Sequence, residues 1–241
     1  PNFVRHKTSF HYPNDPDNGI TGTSFSGTGL HASGSVELSN IVSVGVRFDH
    51  NFLSNPTFFE IYRGGERNYP NSGERRGSSQ RAEGFVGFRV GKIGTLEAGV
   101  ARHSFGRHWV YTTCFSSVPC EVPEKVNTYN DRISWGPVVG LTREVSLGSF
   151  VLGGGIWGYP RMSQNQESSN DQNGTWKDYS ETASGVKLEV MGGYKLTPHT
   201  MVKGGYQFFR TSTPDPFANS SWRIDTVRTE HAIIARYSVH F

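Results

Sequence analysis

The chain has few of the residues that stabilise a soluble domain or a helical membrane protein. Of its 241 residues only 34% are hydrophobic, and the mean hydropathy is -0.50. A soluble domain of this size usually has a larger apolar fraction. No apolar run approaches the length that a membrane-spanning helix needs, and no stretch has helical periodicity. Disorder is disfavoured by the 13% of aromatic residues and by glycines that recur in short periodic runs.

Other absences narrow the function. The net charge is only +3 with a pI of about 8.9, a basic excess too weak and too scattered to indicate nucleic-acid binding. No signal peptide is visible, so we expect a mature or trimmed chain whose export must be inferred from its strands. We expect no cofactor.

The chain has only two cysteines, Cys114 and Cys120, which lie in the polar segment TTCFSSVPCEVP. Their spacing and the proline-containing setting favour a small disulfide-closed loop in an oxidising compartment. A two-cysteine metal site is the alternative, but no histidine or third cysteine lies close by in the sequence. We therefore predict a disulfide and no metal site.

The last stretch, EHAIIARYSVHF at residues 230–241, has the clearest strand pattern. Its apolar set is Ile233, Ala235, Tyr237, Val239 and Phe241. The interleaved, mostly polar set is Glu230, Ala232, Arg236, Ser238 and His240. A period of two predicts a strand with one apolar and one polar face.

This ending, with a terminal Phe241, resembles the C-terminal strand of bacterial outer-membrane β-barrels. The resemblance implies that Tyr237, Val239 and Phe241 form the signal read by the barrel-assembly machinery. The alternative is the terminal strand of a soluble sandwich, but the low hydropathy favours a barrel. Such a barrel needs apolar residues only on its outer face and has a polar interior.

The same alternation recurs along the chain and predicts about ten strands, or eight if the first pair is irregular. The strands are expected near residues 2–12, 30–38, 42–49, 84–90, 96–111, 133–141, 150–159, 186–194, 202–209 and 230–241. In the first and weakest of them, Val4 is expected to face lipid and Arg5 the lumen. Short turns are expected at Ser39, Gly91, Arg143 and Leu196.

Long polar segments alternate with these turns, and we interpret four of them as large loops: 53–80, 111–127, 160–182 and 211–224. Outer-membrane barrels have this asymmetry, with short periplasmic turns and long extracellular loops. The resemblance implies one transmembrane up-and-down antiparallel barrel over residues 1–241, in the bacterial outer membrane, with both termini periplasmic. Its expected partners are outer-membrane lipid including lipopolysaccharide, the assembly machinery, and an envelope or extracellular protein.

If the apolar sets face lipid, the interleaved charged residues line the lumen. They are Arg5, Lys7, His31, Glu37, Arg47, Asp49, Arg89, Glu97, His103, Lys187, Glu189, Lys203, Glu230, Arg236 and His240. Long side chains fill a barrel of about eight to ten strands, so we expect a sealed interior. A narrow channel whose charges select small solutes is the alternative.

A ten-stranded barrel also resembles the omptin proteases, which rely on paired aspartates and an Asp–His pair near the extracellular rim. Asp49 and His50 are adjacent, so only one of them can face the lumen of a strand-built barrel. Asp131 and Asp225 form no evident pair, and His103 with Ser104 is no better. We predict a non-enzymatic protein, with a rim protease or lipid-modifying enzyme as the second alternative.

The segment 53–80 carries a basic run comprising Arg63, Arg67, Arg75 and Arg76, followed by Arg81. Charge-assisted hydrogen bonds from arginine suit the phosphates of lipopolysaccharide or anionic glycans. A solvated basic loop explains the run equally well. The predicted function is surface recognition through the loops, or a structural role in an envelope assembly.

Overall fold

In the computed structural model the chain is almost entirely β-strand. The structure describes residues 2–11, 21–64, 67–113, 124–170, 174–197, 199–214 and 225–239. The strands are β1 (Asn2–His11), β2 (Thr21–Glu37), β3 (Val42–Gly64), β4 (Arg67–Val90), β5 (Gly94–Thr113), β6 (Glu124–Leu147), β7 (Phe150–Asn170), β8 (Gly174–Lys195), β9 (Thr200–Thr213) and β10 (Asp225–Val239). In these ranges no helix is long and apolar enough to cross a membrane.

The strands form one closed antiparallel barrel. Each strand pairs with the next in sequence, and β1 closes the cylinder by pairing with β10 in the register Asn2↔Ile234. The predicted ten-strand barrel is confirmed, and the eight-strand alternative is wrong. The β2–β3, β4–β5, β6–β7 and β8–β9 turns are short and lie at one end, which we call the turn end; the other is the distal end.

Two of the predicted long loops are mostly strand. β3 and β4 stay paired as far as Gly64↔Arg67, which spans most of 53–80, and β7 and β8 stay paired as far as Asn170↔Gly174, which spans most of 160–182. Polar composition indicates solvent around these segments, but a solvated backbone can still form a complete strand ladder. The ends of 111–127 and 211–224 are also strand, whereas residues 114–123 and 215–224 lie outside the described residues, and with them Cys114 and Cys120.

The turn predicted at Arg143 is displaced. β6 continues to Leu147, and the chain reverses at Gly148, whose φ of +66° suits glycine. The polar residues that suggested an earlier turn lie near the barrel rim, where strands are solvated on their outer face.

The outer surface divides the barrel into two halves. In β3 the outward side chains of Val44, Val46, Phe48 and Phe52 are exposed, and in β8 Val190 is 68% exposed. The stretch from Val44 to Phe52 has the length of about 9–11 residues with which a tilted strand crosses a bilayer, so its outward apolar side chains match the apolar band of an outer-membrane barrel. We call this part of the barrel the turn-side half.

The distal half continues beyond this band. β3 to β8 contain 20 to 24 residues each, whereas about 9–11 suffice to cross a bilayer. The outward residues in the distal part of β7 are polar, among them Asn165 and Glu167. Trp135 is exposed where the two halves meet, as residues of an aromatic girdle are. Tyr206 is exposed within the band, opposite Val190.

The first strand faces the opposite way from the prediction. Val4 is buried in the lumen, while Phe3 is 64% exposed and Arg5 is exposed. Val4 packs with Phe25 and Leu53 in an apolar cluster inside the barrel. The alternation of β1 alone was ambiguous, and pairing with β2 and β10 determines its facing. In β10, Ile233 and Tyr237 face outward; Phe241 lies outside the described residues, so the assembly signal stays a prediction.

Candidate functional site

The main candidate site is a layer of buried charged side chains that crosses the lumen in the turn-side half. We call it the ionic layer. It consists of Arg47, Asp49, Arg81, Glu83, Glu97, Lys187 and Glu230. All seven lie on inward positions of their strands, because the strand period of two that turns apolar residues to the outside turns these residues to the inside.

Glu83 on β4 is the acceptor for three donors from other strands. Lys187 Nζ on β8 donates to its two carboxylate oxygens over 2.7 and 3.0 Å, and Tyr159 Oη on β7 donates over 2.5 Å. Arg47 Nε on β3 donates over 2.9 Å. β4 and β8 are four strands apart around the barrel, so the Glu83–Lys187 pair spans the lumen.

Arg81 makes a second connection across the lumen. Its guanidinium lies 3.3 Å from Asp49 on β3 and 3.0 Å from Glu230 on β10. Glu230 also accepts from Asn51 Nδ2 and Ser79 Oγ over 3.1 and 3.0 Å. β4 and β10 are again four strands apart, in the other direction around the barrel.

Aromatic rings fill the space between the charges. Arg47, which also pairs with Glu97, lies 4.0 Å above the Phe85 ring, and Lys187 lies 4.4 Å from the Trp157 ring. Trp157 Nε1 donates to Glu97 over 2.7 Å. Buried charges are stable only when paired and hydrogen-bonded, and each cation of the layer has a carboxylate partner.

The other predicted lumen residues lie above or below the layer. Arg236 and Glu189 form a bidentate pair over 2.8 and 2.7 Å. Lys203 pairs with Glu144 nearer the turn end. The remaining pair, at the turn end, consists of Arg89 and Glu37, whose side chains are 55% and 66% exposed. His31 Nδ1 lies 2.6 Å from Asp49 Oδ1.

His103 is buried on the distal side of the ionic layer. It contacts the rings of Tyr159 and Phe209 edge-on, and neither ring nitrogen has a hydrogen-bond partner within the described parts of the chain.

The sequence prediction missed Arg81 and Glu83 as lumen residues. Assigning Arg81 to a basic loop is wrong, because β4 extends well before Gly84 and turns this side chain inward. Continuing the alternation back from Phe85 places Glu83, Arg81 and Ser79 on one face. That signal is present in the sequence but is weak, because the residues on both faces there are small or polar.

The predicted basic run is spread along the β3–β4 hairpin. Arg63 and Arg67 lie near its tip, in the registers Arg63↔Asn68 and Gly64↔Arg67. Arg75 and Arg76 pair with Asn55 and Ser54, and Arg76 is exposed on the outer surface. From Arg67 to Arg75 the strand rises by about 26 Å. The four residues therefore form two groups on one hairpin rather than a single cluster.

The enzyme candidates do not come together where the structure describes them. Asp49 is inside the barrel, whereas His50 lies between Phe48 and Phe52 on the outer side. Asp131 is exposed opposite Glu167, and burial, then Glu167, raises the pKa of Asp131.

The remaining candidates give no catalytic pair either. Ser104 faces away from His103 and contacts Gln80 over 3.5 Å, and the side chain of Asp225 lies outside the description. No group of three or more His, Cys, Asp or Glu able to hold a metal is present in the described ranges.

The fold and the site define a ten-stranded β-barrel of the outer-membrane type with ion pairs across its lumen. Among solved structures it resembles the outer membrane protease OmpT from Escherichia coli, with a TM-score of 0.57 and 11% identity over 99% of this chain and 93% of that chain.

Two other outer-membrane barrels resemble it less. The translocator domain of the autotransporter NalP from Neisseria meningitidis has a TM-score of 0.39, 7% identity and coverages of 97% and 87%. The Ralstonia pickettii toluene transporter TbuX has a TM-score of 0.35 and 8% identity over 99% of this chain and 88% of that chain. No protein-family model matches the chain, and no curated protein sequence matches it significantly. At these identities the likeness shows the fold.

Proposed function

We propose that this chain is a non-enzymatic integral protein of the bacterial outer membrane, with a lumen closed to solutes and a functional distal end. The termini and short turns lie in the periplasm, and the polar distal half extends outside the cell. The apolar band beside the short turns supports this orientation, because outer-membrane barrels keep short turns on the periplasmic side. Insertion requires the barrel-assembly machinery.

The ionic layer is the observation that carries the closed lumen. Two ion pairs cross the barrel in different directions, and Trp157 and Tyr159, both nearly inaccessible to solvent, occupy the space between them. A solute that crossed this layer would have to separate pairs whose charges lack solvent, which costs several kcal/mol for each pair, or roughly 3–5 kcal/mol. These contacts argue against the narrow-channel alternative.

Planar-bilayer recording tests the closed lumen. The purified barrel is expected to give no stepwise conductance. A porin, recorded in a separate bilayer, serves as the positive control. Reproducible conductance steps that scale with the amount of this protein would contradict the closed lumen and favour the channel.

The distal half is the part that we propose to recognise other molecules. The β3–β4 hairpin, which carries Arg63, Arg67, Arg75 and Arg76, is proposed to contact lipopolysaccharide phosphates or an anionic envelope partner. The pairing of β3 with β4 as far as Gly64↔Arg67 supports this role, because a paired backbone loses little entropy on binding.

Two single variants test the hairpin. Arg76→Gln is expected to weaken lipopolysaccharide binding several-fold at low salt, because a charge-assisted contact from the outer face of β4 is lost. Arg210→Gln, which removes one exposed arginine from β9, is the matched control. Equal loss of binding in both variants would show that only overall charge matters.

The absence of enzyme activity is also a proposal. It is supported by the separation of Asp49 from His50 and by the involvement of Asp49 in the ionic layer. Hydrolysis of peptide or lipid substrates that is lost on Asp131→Asn or Asp49→Asn, with the barrel still folded, would overturn it.

A further inference from the structure

An open groove on the outer surface lies near the turn end, between the β4–β5 turn and strands β6 and β7. Its volume is about 640 Å³, a size typical of sites that bind small organic molecules. Its lining includes Lys92, Ile93, Leu141, Arg143, Gly154 and Ile156. Leu141 is the register partner of Ile156, which is exposed on the lipid-facing side, so the groove faces the surroundings of the barrel rather than its lumen.

Two glycines shape this groove. A Cβ atom at Gly94 would clash with the carbonyl oxygen of Thr142, so glycine lets the end of the β4–β5 turn lie close against β6. A Cβ atom at Gly154 would clash with the carbonyl oxygen of Glu189. This outward position on β7 therefore has no side chain, and Arg143, its register partner on β6, borders an open floor.

The groove has two positive charges that the described residues do not pair. Lys92 and Arg143 are both exposed, and none of the described residues that line the groove is acidic. Glu144, the acidic residue next to Arg143 in the sequence, pairs with Lys203 instead. The groove therefore presents two cations to an anion from the surroundings.

Apolar side chains border the cations. Leu141 and the exposed Val145 lie on either side of Arg143 along the outer face of β6. Ile93 and Ile156, in the walls of the groove, are 61% and 51% exposed. A cation among lipid-facing side chains is stabilised by an anionic headgroup, and the apolar walls suit an acyl chain. Charge and shape together match a phospholipid.

We propose that this groove binds one anionic phospholipid of the periplasmic leaflet. Lys92 and Arg143 contact its phosphate by charge-assisted hydrogen bonds, and an acyl chain lies against Leu141 and Ile156. Such binding rests on the proposed orientation of the barrel, in which the short turns lie at the periplasmic surface. It differs from the general lipid shell of a membrane protein because it requires a negatively charged lipid at one defined position.

Native mass spectrometry of the detergent-solubilised barrel tests the site. Phosphatidylglycerol and phosphatidylcholine with the same acyl chains are titrated separately into the wild type, Lys92→Gln, Arg143→Gln and the control Arg89→Gln. The control removes an exposed arginine from the same end of the barrel that already has Glu37 as its partner. We expect the wild type and the control to bind one phosphatidylglycerol several-fold more tightly than phosphatidylcholine. Each groove variant is expected to bind phosphatidylglycerol about fivefold more weakly.

A further variant tests the apolar walls without a change of charge. Leu141→Trp places a larger side chain in the groove and is expected to weaken phosphatidylglycerol binding several-fold, with folding of every variant checked by gel mobility. Equal binding of the two lipids by the wild type would overturn the proposal. Unchanged binding in all three groove variants, or an equal loss in Arg89→Gln and Arg143→Gln, would also overturn it.

A spin label at position 190, in a variant without the native cysteines, reports membrane insertion separately. Lipid-type accessibility of this label, with no preference for phosphatidylglycerol in the binding assay, would overturn the lipid site alone. Aqueous accessibility of the label in bilayers would contradict the proposed insertion, and the lipid site with it.

Discussion

The two halves of the barrel differ in their outer surfaces and in how closely their buried charges are paired. The turn-side half is apolar outside, and the buried cations within it have carboxylate partners, as Arg81 has Asp49 and Glu230. The distal half is polar outside, and the Nη2 of its inward Arg228 has no hydrogen-bond partner among the described residues. A lumen charge that lipid surrounds has no access to bulk water, so it must be paired. Beyond the lipid this constraint is weaker.

The largest expected effect comes from exchanging one inward arginine in each half for glutamine. Arg81→Gln leaves Asp49 and Glu230 buried with weaker partners and should lower the free energy of unfolding by about 3–5 kcal/mol. Arg228→Gln removes a guanidinium whose Nη2 has no hydrogen-bond partner among the described residues, and it should leave stability unchanged or raise it. Urea unfolding in detergent, followed by gel mobility with and without heating, measures both. Equal destabilisation by the two substitutions would remove the distinction between the halves.

The outer surfaces can be compared with one inserted arginine each. Val190→Arg places a charge in the middle of the apolar band and should cost about 2–4 kcal/mol in a bilayer. Asn165→Arg, at an exposed position of distal β7, should change stability by less than about 0.5 kcal/mol. The measurement is reversible folding into lipid vesicles. A comparable cost at both positions would mean that lipid also surrounds the distal half.

Exposure should weaken an ion pair even within the turn-side half. Arg89→Gln breaks the ion pair between Arg89 and Glu37. Both side chains of this pair are more than half exposed. Solvent and salt screen such a pair, so we expect a loss below about 1 kcal/mol that shrinks further in high salt. The same unfolding assay, repeated at two salt concentrations, checks this. A loss as large as that of Arg81→Gln would show that burial is not what sets the cost.

The smallest expected effect is a pH dependence in the distal half. The pKa of Asp131 is raised in the folded state by burial and by Glu167, so ionisation of Asp131 disfavours folding. The cost is absent below the unfolded pKa of about 3.9 and complete above the folded pKa. Asp131→Asn should therefore raise the unfolding temperature slightly at neutral pH and not at pH 3. Glu167→Gln removes the neighbouring charge and should also raise the unfolding temperature slightly at neutral pH. A fall in the unfolding temperature of Asp131→Asn at neutral pH would contradict the assignment.

The sequence predicted the barrel and the number of strands because alternation and the short turns are local signals. The apolar faces at Val44, Val46 and Val190 follow directly from a period of two. Strand ends were not predictable, because distal segments such as Asn165 to Asn170 have the composition of loops although their backbones are paired. Strands extended beyond the membrane have no apolar face to mark them.

The ionic layer was predictable only in part. Arg47, Asp49 and Glu230 lie on strands with clear alternation, so their inward facing could be inferred. The closure and register of the barrel bring together residues more than 100 positions apart, and alternation along one strand does not predict them. Two such pairs are Glu83 with Lys187 and Arg81 with Glu230. The facing of Val4 was wrong for the same reason, since only its neighbours in the closed sheet determine it.

Spin-label accessibility tests the division of the barrel most directly. Single cysteines at positions 190 and 165, in a background with Cys114→Ser and Cys120→Ser, are labelled and reconstituted in lipid bilayers. We predict that the label at 190 is more accessible to oxygen and the label at 165 to a water-soluble nickel complex. Lipid-type accessibility at both positions, or aqueous accessibility at 190, would contradict a barrel whose turn-side half alone spans the membrane.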